Sequence, residues 1–160
     1  MNEKALTAWL GQWEIERKDS NGKIIEVARL RPNHITDVGL NMFRDFLLGN
    51  ISDGEIKYVV LGNSATVPAD SDALLGAEQF RKQVTFQAAD QATTGKLYTE
   101  LYIADTEANG FKTEEIGWFA GASATGTANS GIMIARVLYS RQKTNLESWT
   151  IRRTDTIARG

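Results

Sequence analysis

Hydrophobic and polar positions alternate along most of the chain, and this spacing predicts β-strands. The clearest case is residues 96–104, where every second side chain is suited to a buried face. Similar alternation, or a short β-branched run, recurs with turn signals between the segments at residues 13–18, 23–30, 56–61, 80–88, 113–120, 132–139 and 147–157. Because the intervals are short, the pattern favours a mainly β protein, an antiparallel β-sandwich of about eight strands.

One stretch has the period of a helix instead. Residues 33–48 place apolar side chains three and four positions apart, which predicts one broad apolar stripe. Thr36 or Asp37 can cap the start, because a short side-chain oxygen accepts from a free backbone N–H of the first turn. Gly49 follows the last apolar residue and suits a left-handed cap. We therefore predict one α-helix, packed on one face or end of the sandwich.

The length of the chain, 160 residues, is typical of one domain with a sizeable core. We predict a single β-rich domain over residues 13–160 and an N-terminal arm over residues 1–12. The arm carries Leu6 and Trp9. It has two interpretations: it docks on its own domain, or it packs on a neighbouring subunit.

Composition and charge argue against several classes of protein. A net charge of −2 does not fit a generic nucleic-acid binder. The absence of cysteine excludes a disulfide framework and a thiolate metal site. The sequence has no apolar run long enough to span a bilayer, so we expect no membrane insertion. The first residues lack the apolar core of a secretory signal, and we expect synthesis and folding in a cytoplasm.

No residues stand at the spacing of a known catalytic or metal-binding motif. His34 is the only histidine, and a structural or surface role is expected for it. Glu114 and Glu115 are adjacent in a predicted strand, so they point to opposite faces; we expect a solvated face or a subunit contact there. The loop aspartates do not match an EF-hand. The prediction is therefore no catalytic residue, no metal, no cofactor and no enzyme activity.

Aromatic side chains leave a second interpretation open. Tyr98 and Tyr102 share one face of a predicted strand, and Trp118 follows Gly117, where a bulge or a close backbone approach is expected. Exposed rings at these positions would form a platform for a sugar, whereas ordinary sheet packing would use them equally well. A carbohydrate-binding β-sandwich that contacts the host surface is the alternative function.

Two loops differ in what they predict. Residues 62–72 (GNSATVPADSD) form a long loop, and loops of this length inside a compact domain usually have a function or make contacts. Residues 121–131 (GASATGTANSG) are small and polar, which predicts an exposed and mobile loop.

Four segments occur in an order that resembles a class of structural proteins of tailed bacteriophages. They are NHITDVGLNMFRDFLL (33–48), YVVLGNSATVPADSDALLGAEQFRK (58–82), TEANGFKTEEIGWFA (106–120) and IAR (134–136). The class includes small tail or collar fibre proteins and the attachment regions of longer fibres. The resemblance covers residues 33–139, whereas the first thirty residues match nothing in it. Trp118 stands where the class has a smaller apolar residue such as leucine.

The resemblance implies assembly and not catalysis. It implies a virion subunit at the neck, collar or tail, made in the host cytoplasm, whose partners are copies of itself and other virion proteins. Copies related by three-fold or six-fold symmetry are expected, with a host-surface glycan as a further partner. The candidate subunit contacts lie in the arm, the first strand, the long loop, the strand with the internal glycine and the basic C-terminus: Leu6, Trp9, Trp13, Val67, Pro68, Trp118, Arg152 and Arg153.

Overall fold

The computed structural model describes residues 8–30 and 34–159. In chain order, the elements are β1 (Ala8–Asp19), β2 (Ile24–Leu30), β3 (His34–Ile35), α1 (Asp37–Leu47), β4 (Ile56–Gly62), β5 (Glu78–Gln83), β6 (Phe86–Ala89), β7 (Lys96–Ile103), β8 (Lys112–Ala120), β9 (Ile132–Gln142) and β10 (Glu147–Ala158). Sheet A has the order β2-β1-β10-β7-β6, and sheet B has the order β3-β9-β8-β4-β5. All pairings are antiparallel, and the predicted β-sandwich with one helix is confirmed.

The core lies between the two sheets, where alternate side chains of each strand meet. Trp13 from β1 and Trp118 from β8 pack edge to face, with ring centroids 4.9 Å apart. The indole N–H of Trp118 donates to the Thr99 hydroxyl at 3.1 Å, so this buried polar group has a partner. The period-two alternation of the sequence is thus the pattern that builds the core.

Helix α1 begins and ends where its caps predict. The Thr36 hydroxyl accepts from the backbone N–H of Gly39 at 3.0 Å, and Gly49 has a φ of 72° after the last turn. A Cβ at position 39 would lie 2.9 Å from the Cα of Ile134, so only glycine lets the helix approach β9 this closely. Within the stretch 33–48, residues 34–35 precede the predicted caps and pair with β9 as strand β3.

The segment predicted as one strand over residues 80–88 is two strands in different sheets. The backbone N–H of Val84 donates to the backbone carbonyl of Lys57 in sheet B at 2.9 Å. The backbone N–H of the next residue, Thr85, donates to the backbone carbonyl of Glu100 in sheet A at 2.8 Å. The backbone therefore changes sheets between adjacent residues. Local alternation continues through such a crossing, which is why the sequence pattern did not show it.

The N-terminal boundary also differs from the prediction. β1 starts at Ala8 and pairs with β10 along its whole length, from Ala8 opposite Ala158 to Asp19 opposite Glu147. Residues 8–12 therefore belong to sheet A and not to an arm. Leu6 lies outside the described residues.

The 121–131 loop is exposed, as predicted, but it is tied to sheet B. The Arg81 guanidinium donates to the carbonyls of Ser130 at 2.9 Å and Thr125 at 3.2 Å. The backbone N–H of Asn129 donates to the Glu78 carboxylate at 2.9 Å. Because these bonds hold the loop from two residues of β5, they argue against the predicted mobility.

Candidate functional site

The outer face of sheet B is closed by the chain itself. Residues 63–77 run across it and place Leu75 on a small apolar cluster with Val60, Phe119 and Met133, all of them buried. Gly117 provides the room, because a Cβ there would lie 2.9 Å from the Leu75 side chain. The close approach at Gly117 is therefore made by the Leu75 and Phe119 side chains and not by the backbone that the sequence predicted.

A buried carboxylate holds the loop in place. Glu115 accepts the backbone N–H groups of Ala77 at 2.9 Å, Gly76 at 3.0 Å and Ser64 at 3.3 Å, and its side chain is fully buried. Arg136 donates to the same carboxylate at 2.7 Å. The expectation of a solvated or subunit-contact role for Glu115 is wrong; Glu114 points to the opposite face, as predicted.

Arg136 extends the network from β9 to the far side of the loop. Its guanidinium donates to the Asp72 carboxylate at 2.9 Å and to the Thr66 carbonyl at 2.8 Å. We call Glu115, Arg136 and these loop partners the Glu115 cluster. It leaves the tip of the loop outside: Val67 is 77% exposed and Pro68 is half-buried. These two candidate contacts are thus on the surface.

Three of the other candidate contacts are inside the domain. Trp13, Trp118 and Arg153 are buried in the core, so their side chains offer no surface to another subunit, and their assignment as contacts is corrected. Arg153 pairs with buried Asp155 at 2.7 Å and lies over the Trp13 ring, 5.0 Å from its centroid. Adjacent residues of a strand face opposite ways, so Arg152 is the member of the basic pair that reaches the surface.

Trp9 is half-buried where β1 meets α1. Its indole N–H donates to Asp155 at 2.8 Å, and its ring centroid lies 5.9 Å from that of Phe43. Its ring is therefore held by its own domain, but it also lines a groove of about 400 Å³ between α1, residues 52–56 and the neighbouring strand ends. The apolar side chains lining this groove are Trp9, Met42, Phe43, Phe46, Ile56, Leu97, Ile134 and Ile157.

The end of α1 beside this groove is apolar and open to solvent. Phe46, Leu47 and Leu48 are 46%, 69% and 66% exposed, and Phe46 also lines the groove. We call these three residues together with the groove the α1 surface. The predicted apolar stripe includes Phe46 and Leu47 and places them against the sheet, whereas Gly39 and Met42 are the buried residues of α1.

The outer face of sheet A carries a row of side chains that crosses all five strands. Register places Arg29 of β2 opposite Glu14 of β1, Glu14 opposite Arg152 of β10, Arg152 opposite Glu100 of β7, and Glu100 opposite Phe86 of β6. The charges alternate and pair: Arg29 with Glu14 at 3.2 Å, and Arg152 with Glu100 at 2.7 Å and with Glu14 at 3.6 Å. No sequence pattern predicts this row, because its members are far apart along the chain.

A second row lies beside the first and completes a groove. Gln12, Thr154 and Tyr98 are opposite one another on β1, β10 and β7. The two rows line a depression of about 380 Å³, which we call the sheet A groove. Tyr102 is on the same strand and face as Tyr98, but it lies outside the groove lining. The shared face predicted for the two tyrosines is confirmed, whereas Trp118 faces the core and is no part of a platform.

The Tyr98 ring is oriented by its hydroxyl, which donates to the Asp90 carboxylate at 2.8 Å. That hydrogen bond, then one from the Ala92 N–H and the nearby Lys96 ammonium, lower the pKa of Asp90 to about 2. The lowered pKa means that the ionised carboxylate stabilises the fold above its ordinary pKa, and that this contribution is lost as the pH falls through about 2.

We expect Tyr98→Phe to raise the pKa of Asp90 toward its ordinary value, because the variant removes the hydroxyl donor and keeps the ring. Carbon-detected NMR titration of the side-chain carboxyl measures this pKa directly. Tyr102→Phe is the matched control and should leave the pKa unchanged. An unchanged Asp90 pKa in Tyr98→Phe would show that the hydroxyl does not bond to Asp90 in solution.

Lys143 is a buried cation that sequence reasoning missed. Its ammonium donates to the carbonyls of Asp105 at 3.1 Å and Thr144 at 3.3 Å and to the Asn109 side-chain oxygen at 3.3 Å. Burial lowers its pKa, while Glu147 and nearby carboxylates oppose that shift. A single lysine in a turn gives no sequence signal. Its contacts tie the 105–109 turn to the β9–β10 turn, which is a structural role.

Within residues 8–30 and 34–159, no group of three or more histidine, cysteine, aspartate or glutamate side chains is placed to hold a metal ion. The same part of the chain contains no helix long and apolar enough to cross a membrane. No protein-family profile, curated protein or solved structure matches the chain.

Proposed function

We propose that this chain is a non-enzymatic structural subunit of a phage particle, at the tail, the collar or neck, or a fibre attachment. It would act through homo-oligomerisation and docking to neighbouring virion proteins. Three of the segments that resemble the phage class meet at one place in the fold, and this supports the proposal. Segment 58–82 contains the loop over sheet B, segment 106–120 contains Glu115, and segment 134–136 contains Arg136. The segments that resemble the phage class thus include the residues of the Glu115 cluster, which holds the loop over sheet B.

The single observation that carries an assembly role is the α1 surface. Three consecutive apolar side chains are open to solvent there, and they adjoin a groove lined mainly by apolar side chains. Continuous apolar patches on monomers are small, and larger ones mark interaction sites. A second copy of the chain is the partner that a homo-oligomer requires at this surface, with copies related by three-fold or six-fold symmetry. Val67 and Arg152 lie on other surfaces and are candidates for contacts with different virion proteins.

The mass of the purified chain in solution, by light scattering behind a sizing column, tests this assembly. We expect an oligomer of the wild-type chain and a shift toward monomer for the double variant Leu47→Ser/Leu48→Ser. Leu146→Ser is the matched control, because Leu146 is 66% exposed, as Leu48 is, but lies in the β9–β10 turn. A monomeric wild-type chain would overturn homo-oligomerisation, and an unchanged mass of the double variant would remove the α1 surface from the interface.

Location in the particle has a separate test. Mass spectrometry of purified particles of a phage whose genome encodes this chain should detect its peptides at a constant ratio to the other tail proteins. Absence of the peptides from intact particles, with their presence in the infected-cell lysate, would contradict a virion role.

A further inference from the structure

We propose that the sheet A groove binds an uncharged oligosaccharide. The groove and the α1 surface are built from different residues, so this inference goes beyond assembly and is tested separately from it. It rests on three properties of the groove: two aromatic rings at one side, alternating hydrogen-bonding charges along its length, and a size that suits a small ligand.

The rings lie on the β6–β7 side of the groove. Phe86 is 55% exposed although it is a large apolar side chain on an edge strand, and Tyr98 is fixed nearby through its bond to Asp90. An aromatic ring that is apolar on its face and open to solvent is suited to pack against the C–H face of a sugar ring. Tyr98 adds orientation, because its hydroxyl is already bonded and the ring cannot swing freely.

The polar members supply both donors and acceptors. Arg29 and Arg152 carry guanidinium donors, whereas Glu14 and Glu100 carry carboxylate acceptors with more than one lone pair each. The salt bridges between them use only part of this capacity. Sugar hydroxyls donate and accept at once, so a row of alternating donors and acceptors fits them closely.

The charge balance distinguishes between classes of ligand. The row contains two arginines and two glutamates, so its net charge is zero. The neighbouring Glu16 pairs with Lys18 at 3.2 Å and also lies 3.5 Å from Arg152. An anionic ligand such as a phosphate would meet carboxylates next to each guanidinium, and a cation would meet guanidinium groups. The groove therefore favours a neutral polar ligand.

Size and shape favour a small ligand over a second protein copy. The volume of about 380 Å³ lies in the range of roughly 300–1,000 Å³ that is usual for small-molecule sites. A stable protein interface instead covers about 800 Å² on each partner. A chain of a few sugar rings, lying across the strands, would contact the aromatic side and the charge row together.

The test uses the full chain on a printed array of neutral oligosaccharides built from glucose, galactose, mannose and N-acetylglucosamine, followed by titration of any bound sugar by NMR. We expect binding to at least one of these sugars. Phe86→Ala and Tyr98→Ala should each weaken it by about tenfold or more, because each variant removes a stacking ring. Tyr102→Ala is the matched control: it removes a 46% exposed ring from the same strand and face, outside the groove, and should leave the affinity unchanged.

Absence of binding to every neutral sugar on the array would overturn the proposal. Binding that survives Phe86→Ala and Tyr98→Ala would place the sugar elsewhere, and a fall in oligomer mass caused by Phe86→Ala would show that a second copy covers the groove. Thermal unfolding of each variant confirms that it is folded. The Leu47→Ser/Leu48→Ser variant should keep its sugar affinity whatever happens to its mass, so failure of assembly and failure of sugar binding are distinguishable.

Discussion

Glu115→Ala will lower the free energy of unfolding by about 3–5 kcal/mol, because it removes the fully buried carboxylate that pairs with the buried Arg136 guanidinium. The carboxylate that remains to Arg136 is that of Asp72, whose side chain is 27% exposed. The Glu115 carboxylate also accepts three backbone N–H groups of the loop over sheet B, and these lose their acceptor in the variant. Urea unfolding followed by tryptophan fluorescence measures the change.

Glu114→Ala is the control one residue away. Its carboxylate lies on the opposite face, where it pairs with Lys112 at 2.5 Å, so we expect a much smaller loss of stability. The double variant Glu115→Leu/Arg136→Met should not recover the lost stability, because the loop N–H groups still lack an acceptor. If Glu115→Ala costs no more than Glu114→Ala, the Glu115 cluster does not hold the loop.

Asp155→Ala will have a similar effect, about 3–5 kcal/mol of lost stability, for a simpler reason. Both members of the Arg153–Asp155 pair are fully buried, and the Arg153 Nε lies 3.0 Å and 2.9 Å from the two carboxylate oxygens. The variant removes the buried carboxylate that pairs with Arg153 beside Trp13, and it also removes the acceptor of the Trp9 indole N–H. Urea unfolding gives the energy, and the fluorescence of the folded state reports the change around Trp9.

Arg152→Ala is the matched control for this pair, since Arg152 is the adjacent arginine and its side chain is 39% exposed. A change of about 0–1 kcal/mol is expected. The double variant Arg153→Met/Asp155→Leu should recover much of the loss, because it removes both buried charges together. If the double variant does not recover stability, the Arg153–Asp155 pair contributes to the free energy of unfolding beyond the neutralisation of its two charges.

These two buried pairs differ in how far they could be predicted. In β10, Trp149 and Ile151 lie inside the domain, and the alternation of a strand places Arg153 and Asp155 on the same buried face. An arginine and an aspartate two residues apart on a buried face are a readable signal for an internal ion pair. The partners of Glu115 had no such signal, since the loop residues that bond to it are 38 to 51 positions away in the chain.

The sequence by itself determined the strand-rich character of the chain, the inward faces of most strands, and the helix with its Thr36 and Gly49 caps. The strands and the helix depend on apolar periods of two and 3.6 residues, and the caps depend on local backbone preferences. Only the tertiary structure decided which sheet each strand joins, as the change of sheet between Val84 and Thr85 illustrates. It also decided the charge row of the sheet A groove and the closing of sheet B by the loop. These features depend on register and on contacts between distant residues, and no local pattern specifies either.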